Sequence, residues 1–217
     1  LEMLGLEASE DVHLCVFDGW RMTFVDRATG GRSGNQNSTI VMEFSPCHCT
    51  GVGKAALAYQ SEFIIDRIIG LGLPAFTRNT ITDPQKLRDE LDAIRARGYS
   101  LDLGEVETNV HCVAAPIRNV SGKVIAAISV SGPAKRLSED RLNAFAPLVI
   151  KHAKLISTRL GFEAEAPITA PAQRKASANA TKQGRVTSQS ATTRSNRSVR
   201  QQKQPDSSGL GKHGLKE

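Results

Sequence analysis

Residues 48–58 read HCTGVGKAALA, and this stretch decides how the chain folds. Because its glycines and alanines have little or no side chain, a helix over residues 51–58 can approach a strand or a ligand closely. The N–H groups of Gly51 and Val52 would then lie at a helix N-terminus, where a small carboxylate is favoured. The alternative is a tight packing turn without a ligand, and the local sequence alone favours that alternative.

The same stretch does not fit a phosphate-binding loop. Such a loop needs a glycine five residues before its Gly-Lys pair and a serine or threonine after it. His48 and Ala55 occupy those two positions around Gly53 and Lys54. We therefore expect only the backbone at this turn to contact a ligand.

The first forty residues predict strands. Two apolar-rich runs, residues 12–17 and 21–25, flank an Asp-Gly pair, which is a strong hairpin signal. Residues 29–38 are rich in Gly, Asn and Ser and indicate a loop. A further strand is predicted over residues 39–44.

The middle of the chain predicts two helices and three strands. Ser61 is a suitable N-cap for the first helix. Asp83 and Pro84 begin the second, and Gly98 ends it. The strands are predicted over residues 99–103, 110–117 and 124–130, from their apolar content.

A final helix is predicted after Ser138, which is its expected N-cap. Its apolar residues recur on one face: Leu142, Phe145, Val149, Ile156 and Leu160. Pro147 stands inside it, so we expect a kink or a break there.

The net charge of +6 is confined to one end of the chain. Residues 1–162 carry 18 Lys and Arg against 18 Asp and Glu, whereas residues 163–217 carry 10 against 4. The second segment also lacks Phe, Trp and Tyr and has few apolar residues. We therefore predict a neutral domain over residues 1–162, which has no electrostatic reason to bind DNA, and a disordered basic tail over residues 163–217.

The four cysteines are more typical of a reducing compartment than of a disulfide framework. Cys15 and Cys112 lie in apolar, strand-like runs, where a free cysteine behaves as a small buried hydrophobe. No apolar run approaches the roughly 18 residues of a membrane span, and no signal peptide is visible. A cytoplasmic protein without a membrane partner is expected.

Cys112 could serve an enzyme that depends on a thiol or a metal. Metal binding is disfavoured, because Cys47 and Cys49 are too close together for the usual zinc knuckle and His111 points away from Cys112 on a strand. Nucleophilic catalysis lacks a visible base beside the thiol. The enzyme stays the alternative hypothesis.

A second polar group is better placed for binding. Ser129 and Ser131 are two residues apart, so on a strand they face the same way. Cys112 lies on a nearby predicted strand, and Asp102 offers a carboxylate. These groups could orient a small ligand through hydrogen bonds. The alternative is that the serines and the cysteine are ordinary small residues of a sheet.

Four motifs follow one another along the chain. They are residues 48–58, ELDAIRARGY at 90–99, HCVAAP at 111–116 and ISVSGP at 128–133. In this order they resemble the effector-binding domain of IclR-type bacterial transcriptional regulators, from about residue 10 to residue 161. The resemblance implies an α/β (α+β) fold of the GAF-like kind, with a curved, mainly antiparallel sheet and helices on both faces.

The resemblance also implies a pocket for a small organic acid. In IclR-type domains the pocket uses the backbone at the start of the Gly-Lys-Ala helix, an Asp ten residues before a Cys, that Cys, and serines seventeen and nineteen residues after it. The matching ligand-binding residues are Gly51, Val52, Asp102, Cys112, Ser129 and Ser131. No catalytic residue, metal or cofactor is implied.

The implied function is sensing of a small carboxylate effector for transcription control, not catalysis. Such regulators form homodimers or homotetramers and read DNA through an N-terminal winged helix-turn-helix. We expect that module to be absent here, so that residues 1–162 form an N-terminally incomplete effector-binding domain. Ligand binding would shift an equilibrium between arrangements of the oligomer.

Residues 163–217 should be dispensable for folding, because they cannot bury enough apolar surface to offset the entropy of ordering them. A chain that ends at Phe162 should keep the cooperative thermal transition of the full chain. It should also lose any weak, salt-sensitive DNA binding seen by gel shift, since the tail holds the excess cations. Loss of the transition, or sequence-specific DNA binding by residues 1–162 alone, would contradict this division.

Overall fold

A computed structural model describes residues 1–30 and 44–163 of the chain. In chain order the elements are α1 (Glu2–Ala8), β1 (Asp11–Phe17), β2 (Arg21–Ala28), β3 (Phe44–Pro46), α2 (Gly51–Leu57), α3 (Glu62–Gly70), α4 (Pro84–Arg97), β4 (Ser100–Leu103), β5 (Val110–Arg118), β6 (Val124–Pro133) and α5 (Glu139–Arg159).

The strands form one curled antiparallel sheet in the order β3-β2-β1-β6-β5-β4. β1 and β6 pair at its centre, with His13 opposite Ser129. β5 continues the sheet on the other side of β6, with Cys112 opposite Ser131. Because directly opposite residues of antiparallel strands point to the same face, these registers decide which side chains meet.

Each face of the sheet is covered by helices, which confirms the predicted fold class. On one face α1 and α5 pack against the strands in a buried cluster that includes Leu4, Val12, Val113, Ile128, Leu142 and Val149. On the other face α2, α3 and α4 contribute to a second apolar cluster that includes Met22, Ala55, Leu57, Ile65, Leu87 and Leu91. The candidate site lies on this second face.

Local signals placed several elements correctly. The Asp-Gly hairpin joins β1 and β2 as expected. The side chain of Asp83 accepts a hydrogen bond from the N–H of Lys86, 2.8 Å away, and so caps α4. Gly98 ends that helix in the left-handed region at φ 83°, a conformation that glycine adopts without strain.

Other expectations are corrected or lie outside the described residues. A kink or a break was expected at Pro147; helix α5 runs unbroken through this residue, so a break there is wrong. Asn143, whose carbonyl loses its helical partner at this proline, is exposed and can be solvated. Helix α1 was not predicted. Most of the loop and strand predicted over residues 29–44 lies outside the described residues, as does all but Glu163 of the predicted tail.

Helix α2 begins in direct contact with the sheet. A Cβ atom on Gly51 would overlap the Sγ of Cys112 on β5 and lie 3.5 Å from the Cβ of Ala114. A Cβ atom on Gly53 would lie 2.5 Å from the carbonyl oxygen of Pro46. Both glycines are therefore required by packing, as the packing-turn alternative for this stretch anticipated.

Replacement of Gly51 by alanine should destabilise the fold by about 1–3 kcal/mol, because the new methyl group needs space that Cys112 fills. The cost should fall by about half or more in a Cys112→Ala background, which removes the clashing atom. Gly70→Ala is the matched control, since its Cβ would meet nothing within 4 Å. Urea unfolding of Gly51→Ala, Cys112→Ala, the double variant and Gly70→Ala measures their free energies of unfolding. An equal cost of Gly51→Ala with and without Cys112→Ala would contradict the packing argument.

Candidate functional site

A cavity of about 100 Å³ lies between the N-terminal end of α2 and the sheet. All six residues implied by the resemblance line it: Gly51, Val52, Asp102, Cys112, Ser129 and Ser131. Further lining residues come from β1, β2 and the segments around α2 and β5, among them His13, Cys15, Phe24, Thr50, Glu107 and Val110. The fold thus brings the six residues implied by the resemblance together around one cavity.

Strand register brings the polar side chains of the cavity into rows across the sheet. Asp102 on β4 lies opposite Cys112 on β5, which lies opposite Ser131 on β6. In the next row, Ser129 on β6 lies opposite His13 on β1. Each row points to one face, so four strands supply one polar floor.

The start of α2 forms the roof of the cavity. Thr50 caps the helix: its Oγ1 accepts a hydrogen bond from the N–H of Gly53 at 3.0 Å and donates one to the carbonyl of Pro46 at 2.7 Å. The N–H groups of Gly51 and Val52 have no backbone partner among the described residues. Both residues line the cavity; the Gly51 N–H is directed at the Sγ of Cys112, a weak acceptor, and the Val52 N–H is available at the roof.

Lys54 is a structural residue that the sequence argument missed. Its side chain is buried and forms an ion pair with Glu105, in the loop after β4, and its Nζ lies 4.0 Å from Glu90 on α4. Burial raises the pKa of Glu105 to about 7, although the charge of Lys54 opposes this shift. A lysine in a stretch of glycine and alanine was the available signal, but its partner lies 51 residues away.

Asp102 has a structural role beside its place in the cavity. Its Oδ1 accepts a hydrogen bond from the N–H of Glu105 at 2.8 Å and so fixes the loop that holds the partner of Lys54. Burial raises the pKa of the Asp102 carboxyl, and the backbone hydrogen bond from Glu105 opposes the rise. At a given pH, Asp102 is therefore protonated more often than an exposed aspartate is.

His13 also lines the cavity and was not among the predicted site residues. It is 6% exposed, and its Nδ1 lies 3.1 Å from the Oγ of Ser131. Burial, aided by the charge of Arg27, lowers the pKa of His13 to about 4, so the ring is neutral near pH 7. Its position in a strand beside Cys15 and the hairpin was the only signal in the sequence.

The environment of Cys112 does not support a thiol enzyme. Burial raises the pKa of its thiol well above the ordinary value, and the charge of Asp102 adds to the rise. His111 is the adjacent residue, but its Nδ1 lies 2.8 Å from the carbonyl oxygen of Leu137. The thiol is therefore protonated, whereas a nucleophilic cysteine needs a thiolate.

Cys47 and His48, in the loop before α2, have structural contacts. The Sγ of Cys47 lies 3.5 Å from the carbonyl oxygen of Trp20, and the Nε2 of His48 lies 3.0 Å from that of Pro74. Across residues 1–30 and 44–163, no three His, Cys, Asp or Glu side chains converge as a metal site would require.

Residues 1–158 match the family of bacterial transcriptional regulators described as IclR C-terminal. The chain belongs to this family. The IclR family consists of transcriptional regulators and not of enzymes, which confirms the interpretation drawn from the four motifs and leaves the Cys112 enzyme without support.

Known IclR-family proteins resemble the chain in sequence and in structure. The HTH-type transcriptional repressor AllR of Klebsiella pneumoniae is 43% identical over 122 residues, which are 56% of this chain and 45% of AllR. The chain thus spans less than half the length of that relative. The crystal structure of the Thermotoga maritima IclR has a TM-score of 0.68 at 32% identity, covering 74% of this chain and 65% of that one.

A second similar structure contains a ligand. It is the inducer-binding domain of a PobR double mutant from Acinetobacter, in complex with 3-hydroxybenzoic acid. It has a TM-score of 0.66 at 28% identity and covers 72% of this chain and 93% of the domain.

In the described part of the chain, none of the helices has the length and apolar character of a membrane span.

Replacement of Lys54 by methionine should destabilise the fold by about 3 kcal/mol near pH 8, because it leaves the Glu105 carboxylate buried without a cation. The loss should shrink near pH 6. Glu105 has a raised pKa in the folded state, so it takes up a proton there and no longer needs a partner. Urea unfolding at both pH values, with exposed Lys86→Met as control, tests this, and a loss independent of pH would contradict it.

Proposed function

We propose that the cavity binds a small carboxylate effector and that the domain is the sensing part of a transcriptional regulator. The observation that carries the proposal is the meeting of Gly51, Val52, Asp102, Cys112, Ser129 and Ser131 around one cavity. These residues come from one helix terminus and three strands, and a folded core alone does not require the buried polar side chains of Asp102, Ser129 and Ser131.

The chemistry of the lining supports a singly charged ligand. Backbone N–H groups at the roof and serine hydroxyls at the floor can donate to a carboxylate without a cationic partner. Among the described residues that line the cavity, none is Lys or Arg, whereas Asp102 and Glu107 are acidic. A dianion such as a phosphate ester would lack a compensating charge, so a monocarboxylate is the better fit.

The size of the cavity supports a short, aliphatic acid. An apolar cavity of about 150 Å³ can hold benzene, and this one measures about 100 Å³. The related PobR domain binds an aromatic acid. By volume, the acid bound here has a few carbons and no ring.

Asp102 is better placed to meet a neutral part of the ligand than its carboxylate. Two ionised carboxylates in one small cavity repel each other. The raised pKa of Asp102 reduces this repulsion only in the molecules whose Asp102 is protonated. A ligand hydroxyl or hydrate can donate to Asp102, while the carboxylate meets the N–H groups of Gly51 and Val52.

The wider activity follows from the family. We propose that the chain acts as a homodimer or homotetramer in the cytoplasm, with DNA bound through a winged helix-turn-helix outside this sequence. The effector would bind one arrangement of the oligomer more tightly and shift the population toward it. Co-expression with such a module and measurement of effector-dependent DNA binding would test this part.

Replacement of Ser129 by alanine should weaken the binding of the best carboxylate from a thermal-shift screen by up to about tenfold. The reason is the loss of one hydrogen bond, worth about 0.5–1.5 kcal/mol. Ser129→Leu should weaken binding more, since its side chain would fill the cavity. Calorimetry measures both affinities.

Ser121→Ala is the matched control for these variants, because Ser121 lies in the exposed turn between β5 and β6. It should leave the affinity unchanged. Unchanged affinity in both Ser129 variants, with the fold retained, would place the ligand elsewhere and contradict the proposal.

A further inference from the structure

A second cavity, of about 240 Å³, lies at the edge of the sheet beside β5. Strand β4 begins at Ser100, which lies opposite Ala114, so residues 115–118 of β5 extend past it with no further strand on that side among the described residues. The last residues of α4 and the C-terminal half of α5 close the space. None of its lining residues lines the cavity under α2, so the two cavities are separate.

Arg118, at the end of β5, lines this second cavity and is held in place by its neighbours. Its guanidinium lies over the rings of Tyr59 at 4.5 Å and Phe162 at 5.9 Å. Its backbone N–H donates to the Oγ of Ser157 at 2.9 Å, and its Nη1 donates to the carbonyl of Gly122 at 2.8 Å. A guanidinium has five N–H donors, so several of them remain to bind an anion in a fixed orientation.

The cations of the second cavity outnumber its anions. Arg97, Arg118 and Lys154 line it, whereas none of its described lining residues is Asp or Glu. Arg97 is paired with Glu90, at 2.7 Å. Across residues 1–30 and 44–163, no carboxylate forms an ion pair with Arg118 or Lys154. Two positive charges are therefore uncompensated, which favours a ligand with two negative charges.

This part of the chain is positive even though residues 1–162 are neutral as a whole. Residues 108–162 carry eight Lys and Arg against two Asp and Glu, while residues 1–107 carry 10 against 16. The second cavity draws most of its lining from the positive part. Because the potentials of like charges add, this surface attracts anions from solution.

The walls of the second cavity are suited to a ring. Apart from the cations they consist mainly of apolar and aromatic side chains: Tyr59, Ala115, Pro116, Ile150, Ala153 and Phe162. An apolar cavity of about 150 Å³ can hold benzene, and this one is larger. An anionic group bound at Arg118 therefore leaves room for a flat, apolar group against the wall.

We propose that the second cavity is a ligand site for a small dianion attached to an apolar ring. Arg118 and Lys154 bind the dianionic group, and the apolar wall takes the ring. The cavity under α2 differs in kind, because none of its described lining residues is Lys or Arg. The inference goes beyond the proposed function and does not depend on it.

Three phosphates separate the contributions of charge and ring. Phenyl phosphate has both the ring and two charges at pH 8, methyl phenyl phosphate keeps the ring with one charge, and inorganic phosphate has no ring. Calorimetry with the full chain at pH 8 should show phenyl phosphate binding about tenfold or more tightly than either of the others. Inorganic phosphate also measures any binding of phosphate to the basic residues 163–217.

Substitutions at the two cations locate the bound phosphate. Arg118→Gln should weaken the binding of phenyl phosphate by about tenfold or more, because it removes a charged, forked donor. Lys154→Gln should weaken it by about two- to fivefold, since this cation is exposed. Lys154 is also the safer variant for folding, so it decides the matter if thermal melts show that Arg118→Gln is unfolded.

Two further variants are controls. Arg159→Gln removes an exposed cation from the same helix, about 140° around it from Lys154, and should leave the affinity for phenyl phosphate unchanged. Ser129→Leu fills the cavity under α2 and should likewise leave it unchanged. Loss of phenyl phosphate binding in Ser129→Leu would place the ligand in that other cavity and overturn the inference.

The remaining outcomes are equally decisive. No binding of phenyl phosphate, or binding no tighter than that of inorganic phosphate or methyl phenyl phosphate, would overturn the inference. Unchanged affinity in folded Arg118→Gln and Lys154→Gln would do the same. A failed screen of small carboxylates would contradict only the proposed function, because it concerns the cavity under α2.

Discussion

The distance between helix α2 and strand β5 is set by a residue without a side chain. Gly51 contacts the thiol of Cys112 directly. Any larger residue at this position would push the start of the helix away from the sheet. The same contact defines the cavity, since α2 is its roof and β5 part of its floor. Packing and binding therefore share one constraint, and the packing-turn and ligand-binding interpretations of residues 48–58 are compatible.

A buried ion pair connects α2, which forms the roof of the cavity, to the loop that follows β4. Lys54 joins α2 to Glu105, and the backbone of Glu105 is in turn held by Asp102 on β4. Burial of two charges as a pair adds little net stability to the fold, but removal of either charge leaves the other buried and unpaired. The pair thus favours one position of α2 over alternatives, which suits a cavity whose donors must stay in place.

The sequence predicted what is local and missed what depends on register. Asp83 and Gly98 mark the ends of α4 through bonds to near neighbours, and Ser129 and Ser131 share a face because strands repeat every two residues. The six site residues were found through spacing known from a family. His13 was missed because its position opposite Ser129 depends on how β1 pairs with β6, which no local pattern encodes.

Burial shifts three titratable groups that line the cavity toward their neutral forms. It raises the pKa values of Cys112 and Asp102 and lowers that of His13. A ligand therefore meets hydrogen-bonding groups rather than opposite charges. One carboxylate can be solvated by backbone N–H groups and hydroxyls, but a second charge would lose its hydration without a replacement. Selectivity then follows from the positions of neutral donors and acceptors, so ligands of equal charge and length are told apart by where their uncharged oxygens lie.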